Sequence, residues 1–133
     1  MLLKDNLYTV VETEVKPSAT GEMESPQETR FLLRIHPGHV IYQAHFPGEP
    51  ITPGVCIVQI GKELLEELMG CSLKITKVKN VKFLSVVSPR ETVSVTYVFK
   101  KVETSDDGSE VKAQISVMAD EEAKAKVSFI CKR

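Results

Sequence analysis

The sequence predicts an α+β fold in which one antiparallel sheet packs on a single long helix. Three observations predict it. Only one segment, Val55 to Met69, carries helical periodicity over several turns. The segments on either side are rich in β-branched residues and alternate in part between apolar and polar. The order is two strands, the helix, then four strands, and one helix cannot cover both faces of a parallel sheet.

Each element has its own signal. Leu7 to Lys16 is β-rich and reads as the first strand, and Pro17 to Gln27, full of Ser, Thr, Gly, Glu and Pro, reads as a long turn or hairpin tip. Glu28 to Ile35 is the second strand, and His36-Pro37-Gly38 breaks it. Thr52 is placed to cap the helix, with Pro53 at its first position, where no N–H partner is needed. Gly70 stands just past its end. On a helical wheel Ile57, Ile60, Gly61, Leu64, Leu65 and Leu68 share one face, and Gln59, Lys62, Glu63, Glu66 and Glu67 the other. Val55-Cys56-Ile57-Val58 is apolar all round, which predicts burial of that end on every side. Ile75 to Phe83, Thr92 to Thr104, Glu110 to Asp120 and Ala123 to Lys132 complete the strands. Turns at Ser105 to Gly108 and Asp120 to Glu122 join the last three.

Size and composition set bounds. A length of 133 residues suits one domain, 1–133, and is short for two. An apolar share of 42% with 26% charged residues is ordinary for a soluble globular protein. A net charge of −1 argues against a nucleic-acid glove. No window approaches the roughly 18 to 20 apolar residues of a membrane span, and the first residues lack the apolar stretch of a secretory signal. Three cysteines, with no Cys-x-x-Cys pair, fit a reducing, cytoplasmic setting.

The segment with most chemistry is His45-Phe46-Pro47-Gly48-Glu49-Pro50-Ile51-Thr52-Pro53-Gly54, which runs straight into the helix. Each proline fixes its own φ and restricts the residue before it, and each glycine permits a bend or a close backbone approach. Such a frame can hold an imidazole rigidly beside a substrate. His36 and His39 lack the spacing of a zinc motif, and Pro37-Gly38 reads as a turn. Cys56 reads as a small core residue rather than a nucleophile.

The run His-Phe-Pro-Gly-x-Pro-x-x-Pro-Gly-Val followed by a helix resembles the signature of the β-hydroxyacyl-acyl-carrier-protein dehydratases of fatty-acid synthesis. Tyr42-Gln43-Ala44 is similar to the Phe-Gln-Gly that precedes that family's histidine, and Lys82 to Val93 is similar to its entry into the next strand. The resemblance implies the hotdog fold, a sheet wrapped around one long helix, over nearly the whole chain. It implies that His45 takes the proton α to the thioester carbonyl and that the Gly54 N–H holds the thioester oxygen. Imidazole suits the first task, with an ordinary pKa near 6.5. A helix-start N–H suits the second, since it points partial positive charge at a developing oxyanion. Phe46, Gly48, Pro53 and Val55 would line the substrate site. No metal or nucleotide cofactor is implied, because the substrate rides on the phosphopantetheine of an acyl carrier protein. The family builds its sites across a homodimer, with trimers of dimers or a heterodimer with another hotdog chain as further assemblies.

One position departs from the pattern. The family places an acid fourteen residues after the histidine, and here that residue is Gln59. Loss of a general acid removes about 10² to 10⁴ in rate, or roughly 3 to 5.5 kcal/mol of barrier. The family's helix also carries a glutamine one turn later, where this chain has Glu63. Residues four apart share a helix face, so Glu63 is expected to supply the acid, directly or through a water, while Gln59 orients the hydroxyl. Two alternatives stand beside dehydration: a hotdog acyl thioesterase, and a catalytically impaired acyl-binding or heterodimer subunit. From Lys74 to Lys101, seven basic residues face one acid, Glu91. That run reads either as solvated strand edges or as a docking surface for an acidic carrier protein.

Overall fold

The computed structural model describes residues 3–16, 28–46 and 48–133. The turn expected over Pro17 to Gln27 lies outside the described residues. Six strands and two helices follow in the order β1 (Tyr8–Lys16), β2 (Glu28–Ile35), α1 (Ile41–Ala44), α2 (Gly54–Met69), β3 (Lys74–Phe83), β4 (Ser94–Thr104), β5 (Glu110–Ala119) and β6 (Glu122–Lys132). They form one antiparallel sheet in the order β1-β2-β4-β5-β6-β3, so β1 and β3 are its edges.

Side chains two apart on a strand share a face, and the inner face is built on that period. Phe31, Leu33 and Ile35 of β2 are buried, as are Val95, Tyr97 and Phe99 of β4. Ala113, Ile115 and Val117 of β5, with Val127, Phe129 and Cys131 of β6, continue the face. Helix α2 lies on it through Ile57, Ile60, Leu64 and Leu65. Gly61 lets the helix approach the sheet: a Cβ there would stand 3.1 Å from Ile115 Cδ1. A buried bond from the Tyr97 hydroxyl to the Ile57 carbonyl, at 2.8 Å, pins the two layers together.

Three expectations about the helix need correction. Its N-cap is Pro53, with extended ψ, and Gly54 is the first helical residue. The Thr52 hydroxyl is not free to cap, because it pairs with the Tyr42 hydroxyl at 2.8 Å in a buried contact. The first turn is not buried on every side: Cys56 and Ile57 are, but Val55 is 75% exposed. Glu63, assigned to the polar face, is buried at 6%, while Leu68 at the far end is 37% exposed. The C-terminus is as expected, with Gly70 left-handed at φ 72° and its N–H donating to the Glu66 carbonyl.

The strand bounds agree with the sequence reading to within a residue or two. The short helix α1 was not anticipated. It is only 4 residues long, too brief to show a period. The β5–β6 turn uses Asp120 and Glu121, both at positive φ (52° and 63°), between the paired residues Ala119 and Glu122. In the β4–β5 turn, Asp107 Oδ1 accepts from the Ser109 N–H and from the Ser105 and Ser109 hydroxyls. These bonds, the Ser109 N–H foremost, hold the Asp107 carboxyl down at about 2.

Candidate active site

The loop between α1 and α2 holds His45 by its backbone and its ring together. Its N–H closes α1 by donating to the Ile41 carbonyl at 3.0 Å. Its carbonyl accepts from the Ile51 N–H at 2.9 Å. Its Nδ1 lies 3.1 Å from the Ile51 carbonyl oxygen. A carbonyl only accepts, so Nδ1 carries a proton, and in the neutral ring the lone pair is on Nε2. The Phe46 ring stacks on the imidazole at 4.1 Å, and the His45–Phe46 peptide bond is cis. Phe46 and Glu49 exchange backbone hydrogen bonds around Gly48, whose φ of 81° suits glycine. Thr52 ties the loop's far end to the sheet side through its N–H to the Val87 carbonyl, at 2.8 Å.

His45 and the start of α2 border one cleft of about 390 Å³, lined also by Ile51, Thr52, Ile57 and the segment Phe83 to Val87. Apart from His45, Thr52 and Ser85 its walls are apolar. The Phe83 ring lies so close to Gly54 that a Cβ there would stand 2.6 Å from Phe83 Cζ. A side chain at position 54 would have to move the exposed Phe83 ring aside. Gly54 opens the helix, so its N–H has no intrahelical acceptor and points out at the positive end of the dipole.

The expected site residues separate into two groups. His45 and Gly54 line the cleft together, and Phe46 braces the imidazole. Pro53 is buried at the N-cap, Val55 stands exposed beside it, and Gly48 lines a neighbouring cleft with Pro37, His39 and Arg90. Gln59 and Glu63 do not line the His45 cleft of their own chain. Gln59 Nε2 donates to Glu63 Oε2 at 2.9 Å. Glu63 also accepts the Leu3 N–H at 2.9 Å, the Lys4 N–H at 2.8 Å and the Tyr8 hydroxyl at 3.1 Å. Backbone and amide N–H groups can only donate, so both oxygens of this carboxyl are engaged as acceptors. The Glu63 carboxyl fastens the N-terminal segment to α2 and stands apart from the His45 cleft of its own chain.

Neighbouring titratable groups follow from burial. Burial, then the Glu63 carboxylate, pushes the Tyr8 hydroxyl well above its ordinary value. Burial raises the Cys56 thiol, the wrong direction for a thiolate nucleophile. His36 and His39 are engaged locally: His36 Nδ1 bonds the Asn6 carbonyl, and His39 Nδ1 accepts the Ile41 N–H. Sequence reasoning missed Thr52, Phe83 and Ser85 as cleft residues. Phe83 had a signal in retrospect, a lone aromatic where a basic edge strand ends.

The ApeI-like family model, described as ApeI dehydratase, matches residues 21–128. The chain belongs to the ApeI-like dehydratases. This ApeI-like chain is also 29% identical over 97 residues to the 3-hydroxyacyl-[acyl-carrier-protein] dehydratase FabZ of Latilactobacillus sakei subsp. sakei (strain 23K), covering 68% of each protein. Among solved structures it resembles the dehydratase heterocomplex ApeI:P from Xenorhabdus doucetiae, with a TM-score of 0.62 at 15% identity over 94% of this chain and 97% of that one. An uncharacterized protein from Erwinia carotovora subsp. atroseptica matches equally, with a TM-score of 0.62 at 16% identity over 95% and 94%. Sheet, central helix and these neighbours make the fold a hotdog. Among the described residues no helix is long and apolar enough to cross a membrane.

Proposed function

We propose that this chain removes water from a (3R)-hydroxyacyl thioester carried on an acyl carrier protein and releases the trans-2-enoyl thioester. One observation carries the reading: His45, with Nδ1–H committed to the Ile51 carbonyl, shares an apolar cleft with the open N–H end of α2 at Gly54. In this reading the Gly54 N–H receives the thioester oxygen. That interaction stabilises the enolate that forms as His45 Nε2 takes the C2 proton. The apolar walls hold the acyl chain, beside Phe46, Gly48, Pro53 and Val55. Gln59 of a second copy meets the substrate hydroxyl as a hydrogen-bonding group. No metal ion or nucleotide cofactor takes part, the phosphopantetheine arm of the carrier delivers the thioester, and the setting is the cytoplasm. The basic run from Lys74 to Lys101 is the carrier's docking surface, steered by opposite charge.

The neutral Gln59 favours one second reading: a subunit whose cleft is completed by the carboxylate of a different hotdog chain. Mass analysis of 3-hydroxyacyl carrier protein incubated with the purified homo-oligomer tests both readings. Loss of water supports the first, and His45→Ala then lowers the rate by about 10² to 10⁴. Water loss that requires a second hotdog chain supports the second reading. Release of the free thiol without enoyl product identifies a thioesterase and overturns both.

A further inference from the structure

Elimination of water needs two proton movements: one leaves C2, and one must reach the departing hydroxyl. Among the described residues, those lining the His45 cleft of a single chain include no titratable side chain besides His45. Thr52 Oγ1 is shared with the buried Tyr42 hydroxyl, whose pKa burial raises. The Ser85 hydroxyl faces Lys124 Nζ at 3.5 Å, and that ammonium is paired with Glu122 at 3.6 Å. The α2 carboxylate one turn beyond Gln59, Glu63, is taken by the Leu3, Lys4 and Gln59 N–H groups and the Tyr8 hydroxyl. A second copy of the chain brings the same neutral amide at position 59 and the same fastened carboxylate. The imidazole itself has one working nitrogen, since Nδ1–H is committed to the Ile51 carbonyl and Nε2 has no partner among the described residues.

We propose that His45 is both base and acid, and that the proton Nε2 takes from C2 is the one it delivers to the leaving oxygen. The C2–H bond breaks toward Nε2, and its electron pair forms the enolate held at the Gly54 N–H. That pair then becomes the C2=C3 double bond as the C3–O bond breaks, and the imidazolium proton joins the departing oxygen to make water. No co-reactant is needed, and His45 returns to its starting state. Because one nitrogen serves both positions, the C2 hydrogen and the C3 hydroxyl must lie on the same face of the substrate. Gln59 is then a hydroxyl-positioning group rather than a failed acid. This inference deepens the dehydratase reading and rests on it.

The pH dependence of kcat tests the idea in both directions, with the native homo-oligomer and 3-hydroxybutanoyl and crotonoyl thioesters of pantetheine. A single shuttling imidazole gives one ascending limb, then a plateau up to about pH 9, for dehydration and for hydration alike, because both start from the neutral ring. A base and a separate acid give a bell. Enoyl product with a descending alkaline limb below about pH 9 overturns the single-imidazole shuttle and leaves the dehydratase reading intact. No product in either direction at any pH removes the dehydratase reading, and this inference with it.

Discussion

Two residues on α2 show how much a single position can be made to do. A Cβ on Gly54 would meet the tip of the half-exposed Phe83 ring. Gly54→Ala is expected to displace that ring, at a cost no greater than the low end of core overpacking, about 1 kcal/mol, and to lower activity. Adding Phe83→Ala should return stability toward that of Phe83→Ala alone, a coupling that urea denaturation of the single and double variants reads directly. Glu63 is a buried carboxylate that satisfies donors from three separate parts of the chain. Glu63→Ala leaves those N–H groups without an acceptor and is expected to cost about 2–4 kcal/mol. The bonded hydroxyl of Tyr8 has its pKa raised above an ordinary 10.0, by burial first and by Glu63 second. With the folded pKa above the unfolded one, this contribution is complete below pH 10 and fades as pH climbs toward the folded value. Part of the alkaline loss of stability should therefore vanish in Tyr8→Phe, as followed by circular dichroism in a pH titration.

At the scale of elements, periodicity was a reliable guide wherever a segment was long enough to repeat its pattern. The inner-face positions of β2, β4, β5 and β6 could be read two by two, and the apolar stripe of α2 by threes and fours. Where it failed, the deciding contact or conformation left no mark on the local pattern. Thr52 has the chemistry of a cap, but Tyr42, ten residues away, takes its hydroxyl. Glu63 looks like one more charge on a polar stripe, and only the N-terminal segment, some sixty residues distant, makes it a buried anchor. The turn at Asp120-Glu121 was legible as a turn, yet nothing local announces that both residues hold positive φ. That conformation suits a type I′ hairpin, where Asp-Gly is among the preferred pairs. Glu121→Gly is expected to raise stability by about 0.5–1 kcal/mol, since glycine relieves the left-handed strain and gives back part of the gain as chain entropy. A thermal melt showing no rise, or a fall, would count against strain at this turn.

At the scale of the whole molecule, His45, the base in the proposed reaction, lines a cleft with apolar walls. The His45 cleft was legible as chemistry, because prolines and glycines at fixed spacing frame one imidazole. Its completeness was not, because Gln59 does not line the cleft of its own chain. The rim of the cleft is also more apolar than a free surface warrants: Phe46, Val55, Phe83, Leu84 and Val86 are all exposed. Contiguous apolar residues of this kind mark an interaction surface. In the proposed dehydratase reading, a second copy of this chain covers the rim and brings its Gln59 to the hydroxyl side of the cleft. A stable dimer buries about 1,200–2,000 Å² in total, and a carboxylate placed at its apolar centre without a partner is strongly unfavourable. Val55 is 75% exposed in the single chain, so Val55→Glu should leave the protomer's own stability within about 0.5 kcal/mol. The same change should shift the sedimentation coefficient from that of an oligomer to that of a monomer and abolish dehydration together with assembly. A native protein that sediments as a monomer at micromolar concentration, or a Val55→Glu variant that stays assembled, would mean that this rim faces something other than its own copy.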